Sequence, residues 1–231
     1  INGLFCFVNG AAGVGFGDSI FSTAAFANEI NSEAQVITTT SVEAIAVVSM
    51  EQEGVVSTSL CMPYQLPNTI IEIKTSTSIT NQIIHVGLIP YIGASPSSAN
   101  EHLPTGDVIW PDNFSLLFKP SGTGASDNWQ VCRRYGTQAA SLTNTGVKVE
   151  ASKYYRIEIE FSRVTAVDFN LDYYYEVKIN NTSVFTFQTN SPQADNFPNH
   201  LNKAQSYQAR ALSPTVWIRN KGTGLARVYV N

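Results

Sequence analysis

The chain has 231 residues, a formal net charge of −4 and only 14% charged residues against 43% hydrophobic ones. That balance excludes the basic footprint of a nucleic-acid-binding protein, and no basic run points to anionic lipid. No apolar run approaches the length of a membrane-spanning helix, so no insertion into a membrane is expected.

The length suits one large β-sandwich or two small domains, and residues 1–231 read as a single domain. Ser, Thr and Asn fill about a quarter of the chain, so hydroxyls and amides solvate its surface. No signal peptide is legible, and the start at Ile1 reads as a processed product or a piece of a longer protein.

Gly3–Val8 is a short apolar strand, followed by a Gly- and Ala-rich loop over Asn9–Gly17. Ser22–Ile30 is the one stretch with helical character, and Ser22 is its cap. Gln35–Thr40, Ala44–Ser49 and Val55–Leu60 are strands between polar turns. Thr69–Lys74 and Gln82–Ile92 are longer, and Pro90 places the second at a sheet edge or a strand end. Gly93–Pro111, rich in Ser, Pro, Asn and Gly, reads as a long surface loop within one domain, with a domain linker as the alternative. Phe114–Lys119, Trp129–Tyr135 and Gly146–Glu150 are further strands.

The clearest signal is Tyr154–Gln188, where apolar and polar residues alternate almost without error. Tyr155, Ile157, Ile159 and Phe161 share one face, and Arg156, Glu158 and Glu160 share the other. Tyr173, Tyr175, Val177 and Ile179 repeat the pattern. Long antiparallel strands with one wet face alternate in this way. Asn180-Asn181 suits a tight hairpin turn, because Asn tolerates positive φ. Thr215–Arg219 and Leu225–Val230 close the chain around Lys221–Gly224, read as a Gly-rich hairpin. About fourteen strands and at most one helix point to an all-β fold, an antiparallel sandwich of jelly-roll type or a barrel.

Cys6, Cys61 and Cys132 are too few and too widely spaced for a zinc pattern or a disulfide framework. They read as small buried hydrophobes, with one disulfide plus a thiol as the alternative. His85 lies in an apolar strand and reads as a hydrogen-bonded core residue, while His102 and His200 lie in loops. Asp168, Asn170 and Asp172 place oxygens at alternate positions in the expected loop between two long strands. That spacing makes them the one candidate cation (Ca²⁺) site, although Tyr173 replaces the Gly that an EF-hand needs. No other cofactor is expected.

Sugars offer flat C–H faces and hydroxyls, so aromatic rings flanked by amides and carboxylates suit them. Trp110 with Asp112 and Asn113, and Trp129 with Asp127 and Asn128, follow loops and are the candidate binding groups, together with Tyr174. The alternative for each Trp is that it begins a strand and covers the core. Arg133 and Arg134 cannot both face inward, so one is a surface or interface donor. If the protein recognises a ligand, the expected place is the loops Gly93–Asp112 and Pro120–Asn128.

Tyr-Tyr-Arg-Ile-Glu-Ile from Tyr154, Tyr-Glu-Val-Lys-Ile-Asn-Asn-Thr-Ser-Val-Phe from Tyr175 and the terminal strand Ala226–Val230 together resemble the concanavalin-A-like sandwiches. That family includes legume lectins, laminin-G domains and lectin-like modules of phage and viral fibres. The resemblance covers about 80 residues, and Asn181 stands where the family carries Gly. It implies carbohydrate binding, or hydrolysis in the glucanase branch. That branch carries Glu-x-Asp-x-x-Glu, and Glu158-Ile159-Glu160 lacks the third carboxylate.

Phe16-Gly17-Asp18-Ser19 resembles the first block of the SGNH hydrolases, with Ser19 as nucleophile. Asp195 and His200 are wrongly spaced for the partner block, and the chain lacks the helices of that fold. The sequence therefore reads as a non-catalytic binding or structural module, lectin-like, with a glycan or cell-surface receptor as partner. Its expected setting is a virion or the extracellular space, and a homo-oligomer, in particular a trimer, is expected. A polysaccharide-degrading sandwich enzyme is the alternative.

Overall fold

The alternation in Tyr154–Gln188 is realised as three consecutive antiparallel strands in a computed structural model. The structure describes residues 5–9, 34–38, 40–42, 45–49, 68–90, 113–120, 127–134, 141–167, 170–188 and 212–230. Among them are thirteen strands and no helix: β1 (Phe5–Asn9), β2 (Ala34–Ile37), β3 (Ile45–Ser49), β4 (Asn68–Thr75), β5 (Gln82–Pro90), β6 (Asn113–Phe118), β7 (Asn128–Arg134), β8 (Ser141–Lys148), β9 (Tyr154–Val167), β10 (Asn170–Ile179), β11 (Thr182–Gln188), β12 (Leu212–Asn220) and β13 (Arg227–Val230). The helix expected at Ser22–Ile30 and the strand expected at Val55–Leu60 lie outside the described residues.

The strands form two antiparallel sheets, a seven-stranded one ordered β1-β3-β12-β5-β6-β7-β8 and a six-stranded one ordered β11-β10-β9-β4-β13-β2. Both present one apolar face to a shared core. Ile84, Val86 and Leu88 of β5, Phe114, Leu116 and Phe118 of β6, and Trp129 and Val131 of β7 come from the first sheet. Ile71 and Ile73 of β4, Tyr155, Ile157 and Ile159 of β9, and Tyr175, Val177 and Ile179 of β10 come from the second. The layers meet ring to ring: Trp129 lies 5.5 Å from Tyr155, nearly edge-on at 81°, and Phe114 lies 5.7 Å from Tyr175. An antiparallel β-sandwich is thus the architecture, as the alternation implied.

Two local expectations need correction and a third is met. Lys221–Gly224 does not close a hairpin. β12 is held between β3 and β5 in one sheet, and β13 between β4 and β2 in the other, so the segment crosses between layers. Asn220 pins that crossing, donating from Nδ2 to Ser41 O (3.2 Å) and accepting at Oδ1 from Gly222 N (3.0 Å). Pro90 meets its expectation as the last residue of β5, a strand end on a central strand. The link between β9 and β10 is shorter than expected, because the two strands pair from Val167↔Asn170 onward.

The Asn180-Asn181 turn forms as expected, with φ of 50° and 64°. Both values lie in the left-handed region that a two-residue hairpin requires. Asn181 therefore performs the backbone task that Gly performs in the resembling family.

Candidate functional site

Inward residues of the six-stranded sheet fix where its outward residues go, since successive side chains in a strand take opposite faces. With Ile73 and Thr75 buried, Lys74 points out; with Tyr155 and Val230 buried, Tyr154 and Tyr229 do as well. Register then lines them up. Lys74 pairs with Tyr154 on one side and with Tyr229 on the other, and Tyr229 pairs with Gln35. Four strands thus present a row of Tyr154, Lys74, Tyr229 and Gln35.

The Lys74 ammonium sits 4.8 Å from the centroid of the Tyr154 ring and 5.7 Å from that of Tyr229, a cation held between two π faces. Tyr154 is 52% exposed, so much of its ring remains open to solvent. Beside the row, Gln35 Oε1, with its amide turned toward the guanidinium, accepts from Arg227 Nε (2.7 Å) and Nη1 (3.2 Å). The rings offer flat apolar faces and the cations and amide offer donors, all on paired strands.

Further along the same face the surface becomes acidic. Arg156 Nη1 donates to Glu158 Oε2 (2.8 Å), and Arg156 Nε lies 3.8 Å from Glu72. Lys178 Nζ lies 3.1 Å from Glu160 and 3.3 Å from Glu176. The hydrogen bond from Arg156, aided by one from Asn68, holds the Glu158 carboxyl below its ordinary value. Bonds to Glu160 and then Glu176 raise the Lys178 ammonium. A glycosidase needs one carboxylic acid kept protonated. Glu158 is shifted the opposite way, and both Glu158 and Glu160 are committed to ion pairs.

Among the described residues the candidates from sequence do not converge. Asn113 opens β6 and Asn128 opens β7, and these strands run antiparallel, with Asn113 opposite Arg134 and Leu117 opposite Gln130. Asn113 and Asn128 therefore lie at opposite ends of the sheet. Trp110 and Asp112 lie outside the described residues. Asp127 is exposed, and its carbonyl accepts from Val149 N (2.9 Å). Asn128 Nδ2 donates to Asn144 Oδ1 (3.1 Å).

Trp129 is corrected as a binding group and takes the alternative reading, at the start of a strand and covering the core. It is fully buried, edge-on to Tyr155 and Phe118, and offers no ring to a ligand. Tyr174 is half-buried on the outer face opposite Tyr175. It pairs with Ser162, eight residues along β9 from Tyr154, which separates the two tyrosines by about 27 Å.

Asp168 lies outside the described residues, while Asn170 and Asp172 belong to β10, opposite Val167 and Thr165. The pair thus stands in a strand and not in the loop expected to wrap a cation. Among the described residues no group of three or more His, Cys, Asp and Glu side chains is arranged to hold a metal. Ser19, His102 and His200 are not among the described residues. Arg133 stacks 4.3 Å over the Phe187 ring and donates from Nη2 to Ser141 Oγ (3.2 Å). Cys132 carries a buried reduced thiol.

A second polar group escaped the sequence reading. The face of the seven-stranded sheet turned away from the core is also buried: His85 is 6% exposed, Thr215 and Arg219 3%, and Ser115 2%. Among the described residues no strand stacks on that face. His85 Nδ1 lies 3.4 Å from Ser115 Oγ, and its ring meets Trp217 edge-on at 4.6 Å. Burial, with a smaller contribution from Lys119, lowers the His85 pKa to about 3, so the imidazole is neutral at ordinary pH. His85 is buried and hydrogen-bonded, as its apolar strand predicts, but on the face turned away from the core.

The fold thus defines a class, the two-sheet antiparallel β-sandwich. No protein-family model matches the chain, and no curated protein matches it in sequence. Among solved structures, the chain is similar to the metal-free Emp46p carbohydrate recognition domain. The TM-score is 0.43 and the identity 9%, over 84% of this chain and 78% of that one. It is also similar to the alginate lyase Aly36B, with a TM-score of 0.41 and 10% identity over 86% and 79% of the two chains. These are likenesses of strand arrangement and assign no residue a role.

Proposed function

We propose that the chain is a non-catalytic carbohydrate-binding sandwich whose sugar-facing surface is the row Tyr154, Lys74, Tyr229 and Gln35. The observation that carries this reading is the half-open Tyr154 ring beside a cation and an amide on neighbouring paired strands. A pyranose C–H face stacks on such a ring while its hydroxyls meet the flanking donors and acceptors. Because strands hold the groups, little ordering entropy opposes binding.

The partner is then a glycan, free or on a cell-surface receptor. The setting we propose is extracellular or on a virion, and the low charge with a hydroxyl- and amide-rich surface supports it. A homo-oligomer, in particular a trimer, belongs to the same proposal, since several weak sites on one particle bind jointly.

A glycan array followed by calorimetry on the best saccharide tests the reading. Tyr154→Ala is expected to weaken binding at least about tenfold, or about 1.4 kcal/mol, without lowering the melting temperature by more than a few degrees. An array blank for every saccharide class would remove the proposal and leave a structural role.

A further inference from the structure

Resting on that reading, we propose that the row takes an acidic saccharide, a uronate oligomer, lying across the strands. The chain as a whole is anionic, with a net charge of −4, and would repel such a polymer. At this end of the sheet, however, rings and cations alternate. Lys74 stands between Tyr154 and Tyr229, and Arg227, oriented by Gln35, is two residues from Tyr229 on the same face of β13.

The Lys74 ammonium covers one face of Tyr154, 4.8 Å from the ring centroid, so a sugar stacks on the other face and its carboxylate reaches that ammonium past the edge of the ring. The two tyrosines are two strand spacings apart, roughly 10 Å, which is the length of a disaccharide. Successive sugars can therefore use successive rings, with Lys74 between them and Arg227 beyond.

The direction follows from charge. Along β4, β9 and β10 the face carries Glu72, Glu158, Glu160 and Glu176 against the two cations that pair with them, Arg156 and Lys178, so the balance in that direction is negative and disfavours a polyanion. A path across β9, β4, β13 and β2 avoids them.

The test is calorimetry of the full chain with oligogalacturonate, its methyl ester and dextran sulfate, at about 50 and about 300 mM salt. The ester keeps the sugar ring and removes the charge. The acid is expected to bind at least about tenfold more tightly than the ester, and less tightly at high salt. Lys74→Met should cost at least about tenfold in affinity for the acid, Lys74→Arg should retain most of it, and Tyr154→Ala should weaken acid and ester alike. All three variants should melt within a few degrees of the parent.

Equal affinity for acid and ester, or an unaffected Lys74→Met with a weakened Tyr154→Ala, overturns the acidic class and leaves carbohydrate binding standing. Binding of dextran sulfate that equals that of the uronate and ignores Tyr154→Ala shows a non-specific polyanion surface and overturns it too. Absence of binding to acid and ester at both salt concentrations overturns the acidic class, and only a blank array removes the carbohydrate reading as well.

Discussion

Asn180 and Arg156 are joined by two backbone-anchored hydrogen bonds. Asn180 N donates to Arg156 O at 2.8 Å, and Arg156 N donates to Asn180 Oδ1 at 2.9 Å. The first residue of the β10–β11 turn thereby fastens the turn to β9, whose end would otherwise leave these groups to water. Asn181 adds a third contact, accepting at Oδ1 from Arg156 Nη1 (2.7 Å).

Replacing Asn180 separates its two tasks. Asn180→Gly keeps the positive φ and removes the side-chain bond, for an expected loss of about 1 kcal/mol. Asn180→Ala also strains the left-handed backbone, adding about 1 kcal/mol more. Urea unfolding of both variants measures the difference. Equal losses would show that backbone strain contributes nothing at this turn.

Tyr155 ties together the passage from one sheet to the other. Its hydroxyl accepts from Glu150 N (2.8 Å) and donates to Lys148 O (3.1 Å), while its ring meets Trp129. Tyr155→Phe keeps the ring packing and leaves those backbone groups unanswered. An expected loss of about 1–3 kcal/mol should appear as a lower urea midpoint with an unchanged slope.

His85 makes stability depend on pH. Its folded pKa, about 3, lies below the unfolded value of 6.5, so the unfolded chain takes up a proton that the folded chain refuses. The contribution is fully present above about pH 6.5 and is lost as pH falls from there toward 3, at up to about 1.4 kcal/mol per pH unit. Comparing His85→Leu with the parent between pH 7 and pH 5 isolates the effect, because carboxylates titrate mainly lower. The variant should lose the slope in this window, and parallel curves for the two proteins would refute the assignment.

Gly87 marks a close approach of β5 to β6, where it pairs with Ser115. A Cβ there would lie 2.6 Å from both Phe114 O and Ser115 Cα, backbone atoms that cannot give way without moving a strand. Gly87→Ala is expected to cost at least about 2 kcal/mol, seen as a marked fall in melting temperature.

Much of the scaffold was legible because strands β9 and β10 each bury one face, so alternation names the inward residues outright. Legibility ended where both faces are buried. In β5 the run Ile83, Ile84, His85, Val86 has no wet side, and in β12 the buried Arg219 looks like a surface residue. Trp129 misled for a related reason: flanking Asp127 and Asn128 read as a loop, yet the next residue turns into the core. The Tyr154–Lys74–Tyr229 row was invisible because its members lie on three strands far apart in sequence. Only register, which no local pattern specifies, brings them together.

The placement of β12 and β13 also governs the order of assembly. Each is an interior strand, β12 separating β1-β3 from β5-β6-β7-β8, and β13 separating β2 from β4-β9-β10-β11. During synthesis neither sheet can close until residues beyond 211 have left the ribosome. Until then each layer is split, with strand margins open to pairing with other chains. The nascent protein is therefore most vulnerable to aggregation in the interval before β12 and β13 emerge, since those two strands join the halves of both layers.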